Sequence, residues 1–212
     1  MLPQEFYDRP TLDVTADLIG KVLVHRTRAG IAAGMIVEAE AYIGEDDPAC
    51  HAAPGPTRRN APLYGPPGFA YVYLNYGMHY LVNAVTESEG APAAVLIRAL
   101  HPLDGIPLMT RRRLRQGSGA QGRVPGQVVT READLCRGPG NLTKALGISL
   151  NENQLDLTSS RLWIEDRGLP IGPVQWSTRI GITRGAERPW RCCLADNPAV
   201  SGSRSRSQAR IK

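Results

Sequence analysis

The stretch Ile-Val-Glu-Ala-Glu-Ala-Tyr at residues 36–42 constrains this chain more than any other part of it. Read as a strand it alternates, so Val37, Ala39 and Ala41 line one face and Glu38, Glu40 and Tyr42 the other. Two carboxylates and a phenol then share a side. Alone, the segment would suit an edge strand with a solvated acidic face. A second run weighs against that reading: residues 93–100, Ala-Ala-Val-Leu-Ile-Arg-Ala-Leu, are apolar except for Arg98. A guanidinium in such a strand is costly to bury unless a carboxylate meets it. Glu38 or Glu40 is the candidate partner; otherwise Arg98 emerges at the sheet edge.

A chain of 212 residues fits one ordinary domain or two small ones. No linker or internal repeat divides it, so residues 1–198 are expected to form a single domain and residues 199–212 a disordered basic tail. No apolar run approaches the ~20 residues of a membrane span. The first residues lack the basic-then-apolar layout of a signal peptide, which points to the cytoplasm, or to the nucleoid in a bacterium. Four cysteines, at 50, 136, 192 and 193, include no Cys-x-x-Cys and are expected to be reduced structural thiols. The net charge of +5 is mild. Arginines nevertheless cluster at 58–59, 111–115 and 204–210, as either a phosphate-binding surface or a solvated face would require.

In order, Thr11 is placed to cap a helix over residues 12–19, followed by a strand at 21–27 that pairs with 34–42 as a hairpin. His25 reads as an ordinary strand histidine. Residues 43–68 show no periodicity and hold Asp46, Asp47, His51, Arg58, Arg59 and Asn60; a loop longer than ~15 residues in a compact domain is commonly functional. Two alternating runs, 69–75 and 78–85, flank Tyr76-Gly77 and form a second hairpin with Tyr76 near its tip. A tyrosine there has little core to fill. Helices follow at 106–115, 130–136 and 141–146, with a loop at 117–126, and late strands at 162–165 and 178–183.

These pieces suit one kind of chemistry. An enzyme acting on a base inside duplex nucleic acid must extrude it, which needs a wedge for the vacated stack and a pocket for the nucleotide. Tyr76 suits the wedge; Tyr42, Tyr73 and His51 offer ring faces, and Asn83 an amide to test the ring edge. Cleaving the N-glycosidic bond builds positive charge on the sugar, which an ionised Glu40 would stabilise while activating water. Arg98 beside it would lower its pKa. A metal is not expected, since His51 has no partner at zinc-ligand spacing. A carbohydrate hydrolase using Glu38 and Glu40 fits poorly, because residues ~7 Å apart on one strand project the same way instead of flanking a bond.

Together, Val-Glu-Ala-Glu-Ala-Tyr at 37–42, His51, Gly-Pro-Pro-Gly at 65–68, Tyr-Val-Tyr-Leu-Asn-Tyr-Gly-Met-His at 71–79, Asn83, Val-Leu-Ile-Arg-Ala-Leu at 95–100 and Gly-Pro-Gly-Asn-Leu at 138–142 resemble the alkyladenine (3-methyladenine) DNA glycosylases. The similarity runs in register from about Leu12 to Arg191. The resemblance implies an α+β fold, one domain around a curved, mainly antiparallel sheet flanked by short helices, acting as a monomer without cofactor on damaged purines in double-stranded DNA. It implies that Glu40 activates water, assisted by Arg98 and the carbonyl of Ile180. Tyr42 would stack on one face of the flipped base, with His51 and Tyr73 on the other. Asn83 would exclude the guanine amino group and Tyr76 would intercalate. With no lysine at the catalytic position, base release without strand cleavage is implied. The chain departs at its end, where Cys192-Cys193 stands in place of an aromatic strand, so the packing of the last strand is the least determined feature.

Overall fold

The computed structural model describes residues 1–114 and 131–202. Strands β1 (Val22–Thr27), β2 (Gly30–Ile43), β3 (Ala70–Asn75), β4 (His79–Val85), β5 (Ala93–Asp104), β6 (Leu162–Glu165), β7 (Val174–Ser177) and β8 (Arg191–Leu194) form one antiparallel sheet. Among the described residues four short helices accompany it: α1 (Gln4–Tyr7), α2 (Thr11–Leu18), α3 (Ile106–Leu114) and α4 (Pro139–Leu146). This is the α+β single-domain class expected from the sequence. No helix of the described residues is long and apolar enough to cross a membrane.

Strand β2 organises the rest. The main order is β3-β4-β5-β2-β1-β6, and β2 is long enough to hold two partners on one flank. Its first half pairs with β1, from Gly30 opposite Thr27 to Met35 opposite Val22. Its second half pairs with β8, Glu38 opposite Cys193 and Glu40 opposite Arg191. On the other flank β5 follows it throughout, with register shifts on both sides of Glu38. Irregularities of this kind bend a strand and re-aim its side chains. Val37 and Ala39 share one buried cluster with Val14 and Leu18 of α2 and Leu142 and Leu146 of α4. Helix α4 begins on Pro139 and ends at Gly147, whose φ of 75° suits a residue without Cβ.

The hairpins at 22–43 and 70–85 form as expected. At the second tip, Met78 N–H donates to the Asn75 carbonyl (3.0 Å), and Tyr76 and Gly77 both have positive φ, 48° and 67°. Two left-handed central residues match the twist of paired strands. Glycine takes that conformation freely; Tyr76 takes it at a cost of ~1–2 kcal/mol.

Several local expectations are corrected. Thr11 is the first residue of α2, without a capping bond; its hydroxyl binds Thr86 (2.9 Å) and Glu87 instead. Residues 178–183 are not a strand, because their backbone and side chains are committed to the groups described below. Strand β7 and helix α1 were missed; the last strand, whose packing the sequence leaves open, is β8. Cys192 and Cys193 sit fully buried in β8, so small thiols fill the strand as aromatic residues would. All four cysteines are buried and free.

Of the 130–136 helix only a single turn, Glu132–Asp134, forms among the described residues. The 117–126 loop, Arg115 and the arginines of 204–210 lie outside them. Arg112 binds the carbonyls of Ala145 (3.2 Å) and Leu146 (2.6 Å), and Arg113 binds Asn141, so these two arginines join α3 to α4 rather than forming a free basic face. His25 is a strand histidine, with Nδ1 against the Leu146 carbonyl (3.0 Å). Residues 199–202, assigned from the sequence to the tail, are packed against the sheet: Ala199 is fully buried and the carbonyl of Val200 accepts from Arg137 Nε (2.9 Å).

Gly105 joins β5 to α3 with a φ of 74°, and a Cβ there would lie 2.2 Å from the Ile31 carbonyl oxygen. Gly105→Ala is expected to lower stability by roughly 2–4 kcal/mol, through left-handed strain plus a clash with rigid backbone. Urea unfolding should show a lower midpoint with unchanged slope; a midpoint at the wild-type value would contradict this account.

Candidate active site

The polar face of β2 is covered, not solvated. Glu38 and Glu40 have no accessible surface, and Arg98 from β5 lies between them at 7% exposure. Its Nε donates to Glu38 Oε1 (2.9 Å) and its Nη1 to Glu40 Oε2 (3.1 Å). Both candidate carboxylates therefore meet the arginine, and the sheet-edge alternative is excluded.

Segment 178–183 crosses above this group. Ile180 N–H donates to Glu40 Oε1 (2.7 Å), and the Ile180 carbonyl accepts from Arg98 Nη1 at 3.4 Å. Tyr42 OH donates to Glu40 Oε2 (2.9 Å). An ionised carboxylate offers about four acceptor positions. Three donors leave Glu40 one open, on Oε1.

Glu38 is saturated. It accepts from Arg98 Nε, Arg191 Nε (2.8 Å), the Ser201 hydroxyl (2.8 Å) and Ser201 N–H (2.6 Å). Burial would raise its pKa, but the guanidiniums of Arg98 and Arg191 and the Ser201 N–H outweigh that and hold it below the usual carboxylate range.

Glu40 shifts the opposite way. Burial raises its pKa by more than Arg98, the Ile180 N–H and Tyr42 OH lower it, and the Glu38 charge adds to the rise. This corrects the expectation that Arg98 would leave Glu40 depressed: the arginine is shared with a second carboxylate, whereas the desolvation of Glu40 is complete. A carboxylate raised in this way is a stronger base.

A cavity of about 360 Å³ opens beside the pair, its wall including Tyr42, His51, Tyr73, Asn83, Arg98 and Ile180, with Tyr76 at its edge. Glu40 lies behind the first layer, reached through Tyr42, Arg98 and Ile180. His51 meets Tyr73 edge-on, ring centres 4.4 Å apart, and its Nδ1 is 2.8 Å from Tyr71 OH. Burial, with Arg59 nearby, lowers the His51 pKa, so the ring is neutral at pH 7. Asn83 lies opposite Tyr71 in the β3–β4 register and donates through Nδ2 to the Tyr71 carbonyl (2.9 Å), which pins its amide. Tyr76 is 83% exposed, with Met78 and Leu74 also exposed on the same hairpin.

All eight residues singled out from the sequence thus fall at one place. Others escaped notice. Arg179 is buried with Asp47 in a two-pronged ion pair, its guanidinium 4.7 Å from the centre of the Tyr42 ring. Cys50 and Tyr71 also line the cavity. Tyr71 alternates with Tyr73 and could have been found from that spacing; Arg179, Arg191 and Ser201 carry no local signal. Among the described residues no group of three or more His, Cys, Asp or Glu is placed to hold a metal ion.

Comparison with known proteins agrees with this geometry. Residues 5–198 match the family model described as methylpurine-DNA glycosylase. A Rubrobacter xylanophilus protein provisionally named 3-methyladenine DNA glycosylase is 52% identical over 176 residues, 82% of this chain and 84% of that protein. Proteins with the same provisional name from Methanocella arvoryzae and Chlorobium luteolum are 43% and 42% identical, each over 205 residues. These matches span 95% and 96% of this chain and 96% and 97% of theirs. Matched through nearly its whole described length, and at such identity, the chain belongs to the methylpurine-DNA glycosylase family.

Proposed function

We propose that this protein is a monofunctional DNA glycosylase that releases alkylated or deaminated purines, such as 3-methyladenine, 7-methylguanine, hypoxanthine and ethenoadenine, from double-stranded DNA after flipping the damaged nucleotide out of the helix. The observation that carries this reading is Glu40: a desolvated carboxylate with one open acceptor position, behind a cavity walled by aromatic rings. At about 360 Å³ the cavity lies near the small end of the ~300–1,000 Å³ range of ligand pockets.

In this reading Tyr42 stacks on one face of the extruded purine, with His51 and Tyr73 against the other. Asn83, fixed by its bond to Tyr71, meets the ring edge and disfavours the guanine amino group, so 7-methylguanine is the poorest fit of these purines. As the bond between C1′ and the base nitrogen breaks, its electron pair leaves with the purine and positive charge grows on the sugar, where ionised Glu40 stabilises it. A water at the open position of Oε1, its second hydrogen toward the Ile180 carbonyl, adds its oxygen to C1′ and gives its proton to Glu40. A purine already cationic from alkylation departs neutral; a neutral lesion such as hypoxanthine departs as its anion and takes a proton from solvent. No amine takes part, so no Schiff base forms and the strand stays intact. Glu38, met by four donors and held below the usual carboxylate range by Arg98 and Arg191 against its burial, is the weaker base of the two and has no part as acid or base. Tyr76 fills the gap in the stack. The site of action is then DNA, in the cytoplasm or nucleoid, with the monomer sufficient.

Three outcomes test the assignment. Glu40→Gln should lower single-turnover release of hypoxanthine from a duplex by about 10²–10⁴-fold while binding is retained; full activity would refute it. Because the Glu40 pKa is raised, the wild-type rate should fall as pH drops through a value above the ordinary glutamate range, and this acid limb should vanish in Glu40→Gln. Tyr76→Gly should gain about 1 kcal/mol of stability by removing left-handed strain, while release from duplex DNA falls more than release from single strands. Equal loss on both substrates would count against a wedge.

A further inference from the structure

The C-terminal segment is bound into the catalytic group, not merely packed beside it. The Ser201 hydroxyl donates to Glu38 Oε1 (2.8 Å) and accepts from Arg98 Nη2 (3.3 Å), so one oxygen bridges the carboxylate and the guanidinium. Ser201 N–H occupies Glu38 Oε2 (2.6 Å), and the Ser201 carbonyl accepts from Arg191 Nη2 (3.1 Å). Arg137 holds the segment on either side, through the carbonyls of Val200 (2.9 Å) and Gly202 (3.3 Å). A side chain added at Gly202 would meet Ile180, whose backbone binds Glu40.

From this arrangement we infer that Glu38 and Ser201 are positioning residues: they fix the plane of Arg98 so that Nη1 faces Glu40 and the Ile180 carbonyl, and the active site is incomplete without the segment that carries Ser201. Neither touches the reacting atoms. Arg98 has a single-bonded stem and could turn its fork about Nε. Glu38 anchors Nε and the Ser201 oxygen anchors Nη2, which leaves Nη1 one direction. Glu38 also acts through its charge. The titratable and charged groups facing Glu40 are Glu38 and Tyr42 from β2, Tyr73 from β3, Arg98 from β5 and Arg179 from the crossing segment, while Arg191 of β8 faces Glu38. Among them Glu38 is the carboxylate whose removal would lower the Glu40 pKa.

The inference rests on the glycosylase reading for its rate measurement and on the geometry alone for its spectroscopic one. In the full-length chain, Ser201→Ala should slow single-turnover hypoxanthine release by about 10- to 100-fold, the range for a hydrogen bond to a charged group. Duplex affinity should stay near wild type, the fold should be retained with a lower unfolding midpoint, and Ser201→Thr should restore the rate. The Arg98 Nε–H resonance should exchange with solvent faster in Ser201→Ala by a similar factor. Glu38→Gln should move the acid limb of the rate profile to lower pH, a shift that a simple loss of folded protein would not produce.

A wild-type rate in Ser201→Ala, or a Glu38→Gln protein uniformly slower at every pH, would overturn the inference. Should the wild-type protein release no modified purine at all, the proposed function fails by itself. The Arg98 resonance then still decides: faster exchange in Ser201→Ala supports the positioning role, and unchanged exchange overturns it.

Discussion

One guanidinium buried between two carboxylates fixes much of what this structure can do. Taking an ion from water into a protein interior costs several kcal/mol, and this centre buries three, with Arg191 a fourth at 8% exposure. Such a cluster persists only if its polar atoms are met. Four donors meet Glu38, and Arg98 donates through Nε and both terminal nitrogens. The partners come from β2, β5, β8, the crossing segment at 178–183 and the segment that carries Ser201. The irregular stretches of the fold are therefore fixed by the same demand as the regular ones: each brings donors and acceptors to a place where water cannot.

Two glutamates two residues apart on one strand end with opposite tendencies, and the difference comes from their neighbours. Glu38 lies between two arginines and is pulled down; Glu40 shares only one of them and is pushed up by its burial. The strand aims both side chains alike, and β8 supplies Arg191 to one of them. Pairing Glu38 with Cys193 and Glu40 with Arg191 in the β2–β8 register is thus an electrostatic device as well as a structural one. Groups that must hold a geometry sit on strands locked from both flanks, whereas Tyr76 stands on a two-stranded tip with its backbone in a conformation that tyrosine disfavours.

The parts legible in the sequence were those whose signal is local. Alternation placed β2, the β3–β4 hairpin and β5, and an arginine in an apolar strand announced a buried ion pair. The proline- and glycine-rich stretch at 43–68 reads as a loop and is largely one, with a single turn at Ala61–Tyr64, and it brings His51 to the cavity and Asp47 to Arg179. Residues 178–183 misled because Thr-Arg-Ile-Gly-Ile-Thr alternates like a strand. Its tertiary bonds to Glu40, Arg98 and Asp47 override a weak preference. Ser201 was read as tail because serine and arginine surround it in sequence, and nothing local records that Glu38 lacks two donors without it. The depressed Glu40 pKa was a similar error, since one favourable neighbour was visible and the degree of burial was not.

The slot beside Glu40 has a second charged layer behind its wall. Arg179 lies against the Tyr42 ring at 4.7 Å and against Trp190 at 5.1 Å, held by Asp47 and by the carbonyls of Ala41 and Gly185 (3.0 Å each). A cation on one face of a phenol is attracted by the ring and keeps it from tilting. Unpaired, that cation would also draw density from the opposite face and repel a positively charged ring stacked there. Asp47, fully buried with it, cancels the net charge while leaving the packing in place. Tyr42 is then clamped from behind by an ion pair of zero net charge and tied at its hydroxyl to Glu40, so its cavity face is at once rigid and electrostatically suited to a cationic purine. An arginine-carboxylate contact lies on either side of Tyr42, one holding Glu40 and the other the wall of the cavity, and the chain segment at 178–183 contributes to both.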